Sequence, residues 1–200
     1  MIEIVQKLIV LGIPIVIAIT FHEAAHGFVA LMRGDRTALM LGRVTLNPFK
    51  HVDPVGTVLV PGVLLITGAP FLFGWAKPVP VNFNGLKNPR SDMVLVAAAG
   101  PAMNFALALI SAALLHFNSF VPAEYIPLFQ QMCITSVFIN VILGVFNLLP
   151  MPPLDGGRIV TGVLPYKAAV QFVRFEMIGM WVVIFLLASG ILGKILMPAV

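Results

Sequence analysis

The chain has 200 residues, of which 60% are hydrophobic and only 10% are charged. A water-soluble domain normally carries about 25% charged residues, so this composition excludes an ordinary soluble fold and indicates an integral membrane protein. The net charge is +4, but the basic residues are spread over short connectors, which argues against nucleic-acid binding. The single cysteine, Cys133, excludes an intramolecular disulfide and a metal site made only of cysteines.

Long apolar runs predict an all-α, polytopic membrane protein that forms a single domain over residues 1–200. About 20 helical residues cross the hydrocarbon core of a bilayer. Four runs meet this length and predict a bundle of full transmembrane helices at about 8–32, 93–115, 128–150 and 177–197. The sequence contains no repeat with a period of 20–50 residues, and no soluble domain interrupts the apolar runs.

A further apolar run, 54–73, has basic residues on both sides. A full crossing would place one of these basic groups outside the cell, against the usual charge bias. We therefore predict a re-entrant or interfacial segment with breaks at Pro61-Gly62 and Gly68-Ala69-Pro70, and an additional ordinary span is the alternative. A short, extended, membrane-associated stretch at 77–82 is expected to follow, because two prolines stiffen it.

The distribution of lysine and arginine predicts the topology. The connectors 33–90 and 155–176 are rich in basic residues, whereas the connector 118–127 contains none. Because basic loops stay in the cytoplasm, we expect the first two connectors inside and the third outside. The run 93–115 then passes outward, and the run 128–150 returns inward.

The first run contains the sequence His22-Glu23-Ala24-Ala25-His26. Residues four apart lie one above the other on a helix, so both imidazoles can face one ion while Glu23 reaches a water beside it. This pattern is typical of zinc hydrolases. These three residues are also the only ionisable ones in 8–32, and an intramembrane carboxylate costs at least ~2.5 kcal/mol to insert. The alternative is that they are polar residues used for helix packing.

A catalytic zinc commonly has three protein ligands and one water, so two histidines require a third residue from elsewhere. Asp155 is a candidate, because it follows a proline-broken end of the run 128–154 and precedes Gly156-Gly157. Such a stretch can turn a carboxylate back toward the bundle. The alternative is a loop aspartate that pairs with Arg158, and these residues alone do not decide between the two.

Together, three motifs resemble the site-2 protease family of intramembrane zinc metalloproteases. They are His22-Glu23-Ala24-Ala25-His26, Gly100-Pro101-Ala102-Met103-Asn104 and the stretch 147–158, and they occur across most of the chain in the order of that family. The chain resembles the compact prokaryotic branch, without a PDZ-like insertion or an appended regulatory domain. For Gly100 and Asn104, a packing role is at least as good an interpretation as direct chemistry.

The resemblance implies specific roles for individual residues. His22, His26 and Asp155 would bind one zinc ion per chain, and Glu23 would be the catalytic acid and base. Asn147 would be a second catalytic residue, close to the substrate carbonyl or oxyanion.

The resemblance also implies a function: an intramembrane metalloprotease domain that hydrolyses peptide bonds within or near transmembrane segments. Its expected partners are membrane-protein substrates and the lipid bilayer of a prokaryotic plasma membrane. The predicted topology places Asp155 and the histidines toward the inner ends of their spans, so we expect the active site nearer the cytoplasmic face. The stretch 77–82 could hold an unwound substrate by strand addition, or it could be only a stiff connector. A non-enzymatic metal-ion carrier and a membrane scaffold are the alternative functions, but a carrier has no specific need for Glu23. The sequence indicates no oligomeric state.

Overall fold

The computed structural model describes residues 2–68 and 74–196, and its regular structure there is helical throughout. The prediction of an all-α protein is confirmed for these residues. The α-helices are α1 (Ile2–Met32), α2 (Thr37–Met40), α3 (Val60–Ile66), α4 (Pro89–Leu114), α5 (Ile126–Asn147), α6 (Asp155–Val163), α7 (Tyr166–Val173), α8 (Glu176–Ala188) and α9 (Ile191–Leu196). Short 3-10 segments cover Pro48–Lys50, Phe83–Gly85, Leu115–Phe120 and Ala123–Tyr125, and a π-helical turn, Pro54–Leu59, precedes α3.

Three helical segments are long and apolar enough to cross a membrane, namely Val5–Met32, Pro89–Phe120 and Ala123–Asn147. The shortest has 25 residues. At 1.5 Å per residue it is about 37 Å long, which exceeds the ~30 Å thickness of the hydrocarbon core. These segments correspond to the first three predicted spans.

The predicted fourth span, 177–197, is not one continuous helix in the residues that are described, which end at 196. Helix α8 ends at Ala188, and Gly190 adopts a positive φ of 71° before α9 begins. This left-handed conformation, which glycine adopts readily, interrupts the helix. Helices α7 and α8 could form one broken span, bent by 60°, so the predicted number of four full spans is not confirmed.

The predicted re-entrant run, 54–73, begins as a short apolar helix, Pro54–Leu64. Eleven residues give a length of about 16 Å, roughly half of the hydrocarbon core. The predicted break at Pro61-Gly62 is wrong, because both residues lie within α3, which continues directly from the π-helical turn Pro54–Leu59. Part of the second predicted break falls within 69–73, outside the described residues.

The centre of the molecule is formed by α1, α4 and α5, which pack against one another, while α6 packs on α4. Small residues, including Ala18, Ala97 and Ala108, are buried along these contacts. In a bilayer, small residues stabilise helix pairs by letting the backbones approach closely. This packing brings the middle of α4 against the histidine-bearing turn of α1.

Candidate metal centre

The structure brings together the three side chains that were predicted to bind zinc. His22 and His26 lie one turn apart on α1, and Asp155 is the first residue of α6. The Oδ2 atom of Asp155 is 3.2 Å from His22 Nε2 and 3.3 Å from His26 Nε2, while the two Nε2 atoms are 3.1 Å apart. All three residues are buried. One nitrogen or oxygen from each therefore faces a common point.

Hydrogen bonds on the far side of both imidazoles determine which nitrogen faces this point. His26 Nδ1 lies 2.7 Å from the carbonyl oxygen of Val96, and His22 Nδ1 lies 2.6 Å from Oδ1 of Asn104. Both partners are acceptors, so we assign the hydrogen to Nδ1 in each ring. In the neutral imidazoles, each Nε2 atom then presents a lone pair.

This arrangement fits a zinc ion. The Oδ2 atom of Asp155 is buried and, among the described residues, has no hydrogen-bond partner. It converges with two lone-pair nitrogens, and all three atoms lie within 4.8 Å of one another. Three such atoms repel one another unless a cation lies between them. Two imidazoles and one carboxylate are a common ligand set of catalytic zinc, which leaves a position for water.

Helix α4 passes directly beside the histidines at Gly100. A Cβ atom at this position would lie 2.6 Å from His22 Nε2 and closer still to His26 Nε2. These distances are well inside van der Waals contact, so only glycine leaves both rings in place. The glycine of the motif 100–104 therefore has a steric role at the site.

The turn before α6 directs Asp155 inward. A Cβ atom on Gly156 would overlap the carbonyl groups of Leu148 and Leu149, and one on Gly157 would overlap the backbone of Met151. The two glycines thus permit the chain to fold back tightly after α5. The carboxylate of Asp155 faces the histidines, as expected if the stretch turns toward the bundle.

Glu23 is held by a segment without helix, residues 74–82, which we name the strap. The Oε2 atom of Glu23 accepts a 2.8 Å hydrogen bond from the backbone N–H of Val79. Val79 is 5% exposed and lies over Gly27, where a Cβ atom would come within 3.1 Å of its Cγ1 atom. The strap therefore crosses α1 immediately beside the histidines.

One end of the strap is fixed by Arg43 and His51. The Nη2 atom of Arg43, a buried residue, donates to the carbonyl oxygens of Lys77 at 2.5 Å and of Pro78 at 3.3 Å. The carbonyl oxygen of His51 accepts the N–H of Lys77 at 2.9 Å. The N–H of Lys77 and the carbonyl groups of Lys77 and Pro78 therefore all have hydrogen-bond partners elsewhere in the protein.

The other end of the strap is fixed by Asp35, which is 2% exposed. Its Oδ2 atom accepts the backbone N–H of Asn82 at 2.7 Å, and its Oδ1 atom accepts two hydrogen bonds from Thr37. Burial raises the pKa of this carboxyl group, but the hydrogen bonds from Thr37 and Asn82 outweigh burial and lower the pKa below its ordinary value. Asp35 is therefore ionised at neutral pH.

Asn147 is the predicted site residue with the weakest connection to the others. It is the last residue of α5, and its Nδ2 atom donates to the carbonyl oxygen of Leu143, one turn earlier. One amide hydrogen is thus used within the helix, and its role near a substrate stays a prediction.

Sequence reasoning missed Asn140, Arg43 and the strap contact of Glu23. Asn140 did carry a signal, since it is an amide inside an apolar run, and polar residues in such runs usually have a specific partner. Arg43 carried none, because an arginine in a basic connector is expected to be exposed.

A cavity of about 610 Å³ lies between α1, α4 and residues 44–46. Its lining is almost entirely apolar and includes Phe21, Ala24, Phe28, Ala99 and Met103. The lining residues Ala24 and Ala25 lie on the same turn of α1 as His22 and His26.

Comparison with known proteins identifies relatives over most of the chain. A family model described as "Peptidase family M50" matches residues 10–134 and 123–190. "Putative zinc metalloprotease YwhC" of Bacillus subtilis (strain 168) is 39% identical over 192 residues, which cover 94% of this chain and 84% of the relative. "Putative zinc metalloprotease Rip2" of Mycobacterium tuberculosis (strain H37Rv) is 30% identical over 162 residues, which cover 77% of this chain and 59% of the relative. No solved structure matches the chain significantly.

These relatives confirm the resemblance seen in the motifs and the expected cofactor. The family match covers more than half of the chain, and the relative from Bacillus subtilis aligns over nearly all of it. Zinc is named in the relatives, and the structure supplies a buried His-His-Asp group that suits it. The chain belongs to peptidase family M50, the site-2 protease family of zinc metalloproteases.

Proposed function

We propose that the protein is an intramembrane endopeptidase that cleaves membrane-protein substrates within or near their transmembrane segments. The observation that carries this proposal is the convergence of His22, His26 and Asp155 beside Glu23, on elements packed among apolar helices. A carboxylate next to such a metal-binding group is the arrangement that peptide hydrolysis by water requires. An ion carrier would need the three metal-binding side chains but not an acid and base beside them.

His22, His26 and Asp155 would hold the zinc, and Glu23 would move the proton. Bound zinc lowers the pKa of a coordinated water toward ~7 and polarises a carbonyl group. The Oε2 atom of Glu23 already accepts the N–H of Val79, which orients the carboxylate and leaves Oε1 to take a proton from the attacking water. The same carboxyl group then delivers this proton to the nitrogen of the leaving amine.

Asn147 would assist from the end of α5. Its second amide hydrogen remains after the bond to Leu143 and would donate to the oxygen of the scissile carbonyl as negative charge develops there. The bond to Leu143 would hold the amide in a fixed rotamer.

The substrate must expose its backbone before it reacts. A transmembrane helix keeps every peptide group in its own hydrogen bonds, so the scissile region has to unwind. The apolar cavity beside the histidine-bearing turn of α1 offers a hydrophobic surface for such a segment. In the strap, Val79 donates to Glu23, and the adjacent Pro78 and Pro80 have no N–H. Strand addition there would depend on carbonyl groups, so the strap serves first to hold Glu23.

A Glu23→Gln variant tests this proposal. The amide keeps the shape of the side chain but cannot accept a proton, so we expect zinc content near one ion per chain and no cleavage of a model transmembrane substrate. Glu124→Gln is the matched control, since Glu124 is exposed in the connector before α5 and should leave both measurements unchanged. Cleavage by Glu23→Gln at the normal rate would contradict the mechanism, and zinc binding without cleavage by the unaltered protein would favour the ion carrier.

We also propose that the protein is a multi-pass protein of the prokaryotic plasma membrane with its site nearer the cytoplasmic face. Arg33 follows α1 directly and pairs with Asp92 at the start of α4, at 3.8 Å. His26 is seven residues before Arg33, which places it roughly 10 Å below this basic boundary. The bundle lies in the lipid, and the proposal involves no nucleic acid.

Thiol labelling tests the orientation. In a Cys133→Ser background, cysteines placed at Arg33 and Arg158 should react with a membrane-impermeant reagent in inverted vesicles but not in intact cells. A cysteine placed at Glu124 should show the opposite pattern. Labelling of the first two positions from outside intact cells would overturn the orientation.

A further inference from the structure

Two amide side chains are completely buried between the membrane-spanning helices. Asn104 on α4 and Asn140 on α5 both have 0% exposure. A buried amide without hydrogen bonds costs several kcal/mol in an apolar environment, so such residues normally have defined partners. In this protein, the partners form a continuous line that ends at His22.

The line begins at a group whose polarity is fixed. The Nδ2 atom of Asn140 lies 2.9 Å from the backbone carbonyl oxygen of Ser136. A carbonyl can only accept, so the amide nitrogen of Asn140 must point toward Ser136 and its Oδ1 atom must point away. That oxygen lies 2.9 Å from the Nδ2 atom of Asn104.

The orientation of Asn104 follows from that of Asn140. Its Nδ2 atom donates to Asn140 Oδ1 and also points toward the carbonyl oxygen of Ala18, at 3.4 Å. Its Oδ1 atom therefore faces His22 Nδ1, at 2.6 Å. An oxygen in this position requires a hydrogen on Nδ1, which leaves the lone pair of His22 on Nε2, the atom that faces Asp155.

We propose that Asn104 and Asn140 form an amide relay that fixes the tautomer and ring orientation of His22 for metal binding. Both are positioning residues that act through His22, and the inference rests on the proposed role of His22 as a zinc ligand. His26 is oriented by the main-chain carbonyl of Val96, which is present whatever the side chain. His22 is thus the one of the two histidines whose orientation depends on side chains.

The relay predicts a loss of metal affinity that packing alone does not. Outer hydrogen-bond partners of metal-binding histidines typically contribute about 10–100-fold to metal affinity. Leucine has the same number and branching of side-chain heavy atoms as asparagine, although its methyl groups are bulkier, and it cannot accept the Nδ1 hydrogen. Aspartate is close in shape and presents an acceptor to His22 whether or not it is protonated, and its protonated form also donates to Asn140.

Zinc competition against a chromophoric chelator tests the relay in the detergent-solubilised, full-length chain. We expect about 10–100-fold weaker zinc binding in Asn104→Leu, a smaller loss in Asn140→Leu, and affinity close to the unaltered protein in Asn104→Asp. The visible spectrum of bound Co²⁺ should differ from that of the unaltered protein in both leucine variants and should match it in Asn104→Asp. Ser111→Ala is the control, because among the described residues Ser111 bonds only the hydroxyl of Ser136, and the carbonyl oxygen of Ser136, which makes the shorter contact with Asn140, remains in place.

Each outcome bears on the proposal. Unchanged zinc affinity and Co²⁺ spectra in the leucine variants would overturn the relay, as would equal losses in Asn104→Leu and Asn104→Asp. If Asn104→Leu does not fold, Asn140→Leu decides the question, since Asn140 does not touch His22. A His22→Ala variant distinguishes failure of the relay from failure of the proposed zinc ligand. Full zinc retention in His22→Ala would refute the assignment of His22 as a ligand. Zinc loss in His22→Ala together with normal zinc affinity in both leucine variants would refute only the relay.

Discussion

In the candidate metal centre, the two histidines of α1 and the carboxylate of Glu23 are held by different parts of the molecule. His22 and His26 are fixed from α4, through Asn104 and the Val96 carbonyl. Glu23 instead receives its hydrogen bond from Val79, in a strap that has no regular structure. One turn of α1 therefore supplies residues to two supports, one made of packed helices and the other of a connector.

In the proposed mechanism, this difference separates the residues that bind zinc from the residue that transfers the proton. Changes between the helices should reduce zinc affinity, and activity should fall with it. Changes in the strap should misplace the carboxylate of Glu23 while zinc stays bound. The comparison therefore predicts two classes of variants, which zinc content and cleavage rate distinguish.

The largest effect on zinc affinity and cleavage is expected from Gly100→Ala, in the support made of packed helices. The added Cβ atom would lie 2.6 Å from His22 Nε2, so either the rings or α4 must move. Overpacking of this kind costs up to ~3 kcal/mol, which corresponds to a loss of zinc affinity of about 100-fold and a parallel loss of cleavage. Isothermal titration with zinc and a cleavage assay measure the two quantities.

Gly12→Ala is the matched control for this variant. Gly12 also lies in a long apolar helix, α1, but a Cβ atom there would meet nothing within 4 Å. We expect normal zinc binding and cleavage. Wild-type zinc affinity in Gly100→Ala would contradict the close approach of α4 to the two imidazoles.

An intermediate effect is expected from Arg43→Gln, on the strap side. Loss of the guanidinium frees the carbonyl groups of Lys77 and Pro78, which lie two positions and one position before the N–H that holds Glu23. A displacement of about 1 Å of a reacting group can cost 10²-fold in rate, so we expect kcat to fall about 10–100-fold while zinc content stays unchanged.

Arg36→Gln, an exposed arginine in the same connector, should have normal kcat and zinc content. If Arg43→Gln loses zinc in proportion to activity, the two supports are not separate, and the comparison fails.

Local spacing explains which parts of the site could be predicted from the sequence. His22 and His26 lie together because any helix places residues four apart on one face, whatever surrounds it. The contact between Glu23 and Val79 joins residues 56 apart in sequence and uses a backbone N–H, which every residue except proline has. No residue pattern marks such a contact. The buried charge of Arg43 was invisible for the same reason, since its partners are carbonyl oxygens of the strap.

The fold could likewise be predicted from the sequence only in part. Apolar length predicted the three long helices, because burial of about 20 residues in lipid requires a helix. It did not predict the interruption of the run 177–197 at Gly190, because the composition around a glycine does not reveal its φ angle. Asp155 lies between these cases: its prolines and glycines indicated a turn, but only the tertiary packing shows that the turn faces the histidines.

The smallest effect is expected from Asp35→Asn, at the far end of the strap. The amide still accepts one hydrogen bond, but the charge that strengthens the bonds from Thr37 and Asn82 is lost. A difference of about 1 kcal/mol corresponds to a fall in cleavage rate of roughly fivefold, with zinc content unchanged. Glu124→Gln is the control, because Glu124 is an exposed carboxylate in the connector before α5, away from the strap in sequence.

The effect of Asp35 on the strap should depend on pH in a defined direction. The pKa of Asp35 is lower in the folded protein than in the unfolded chain, so its carboxylate stabilises the strap fully above its ordinary pKa. This stabilisation is lost as the pH falls through the lowered value, where the carboxylate takes up a proton. Amide hydrogen exchange of the strap should therefore differ between Asp35→Asn and the unaltered protein at neutral pH, and the difference should shrink in acid. A difference that grows as the pH falls would show that the charge of Asp35 does not hold the strap.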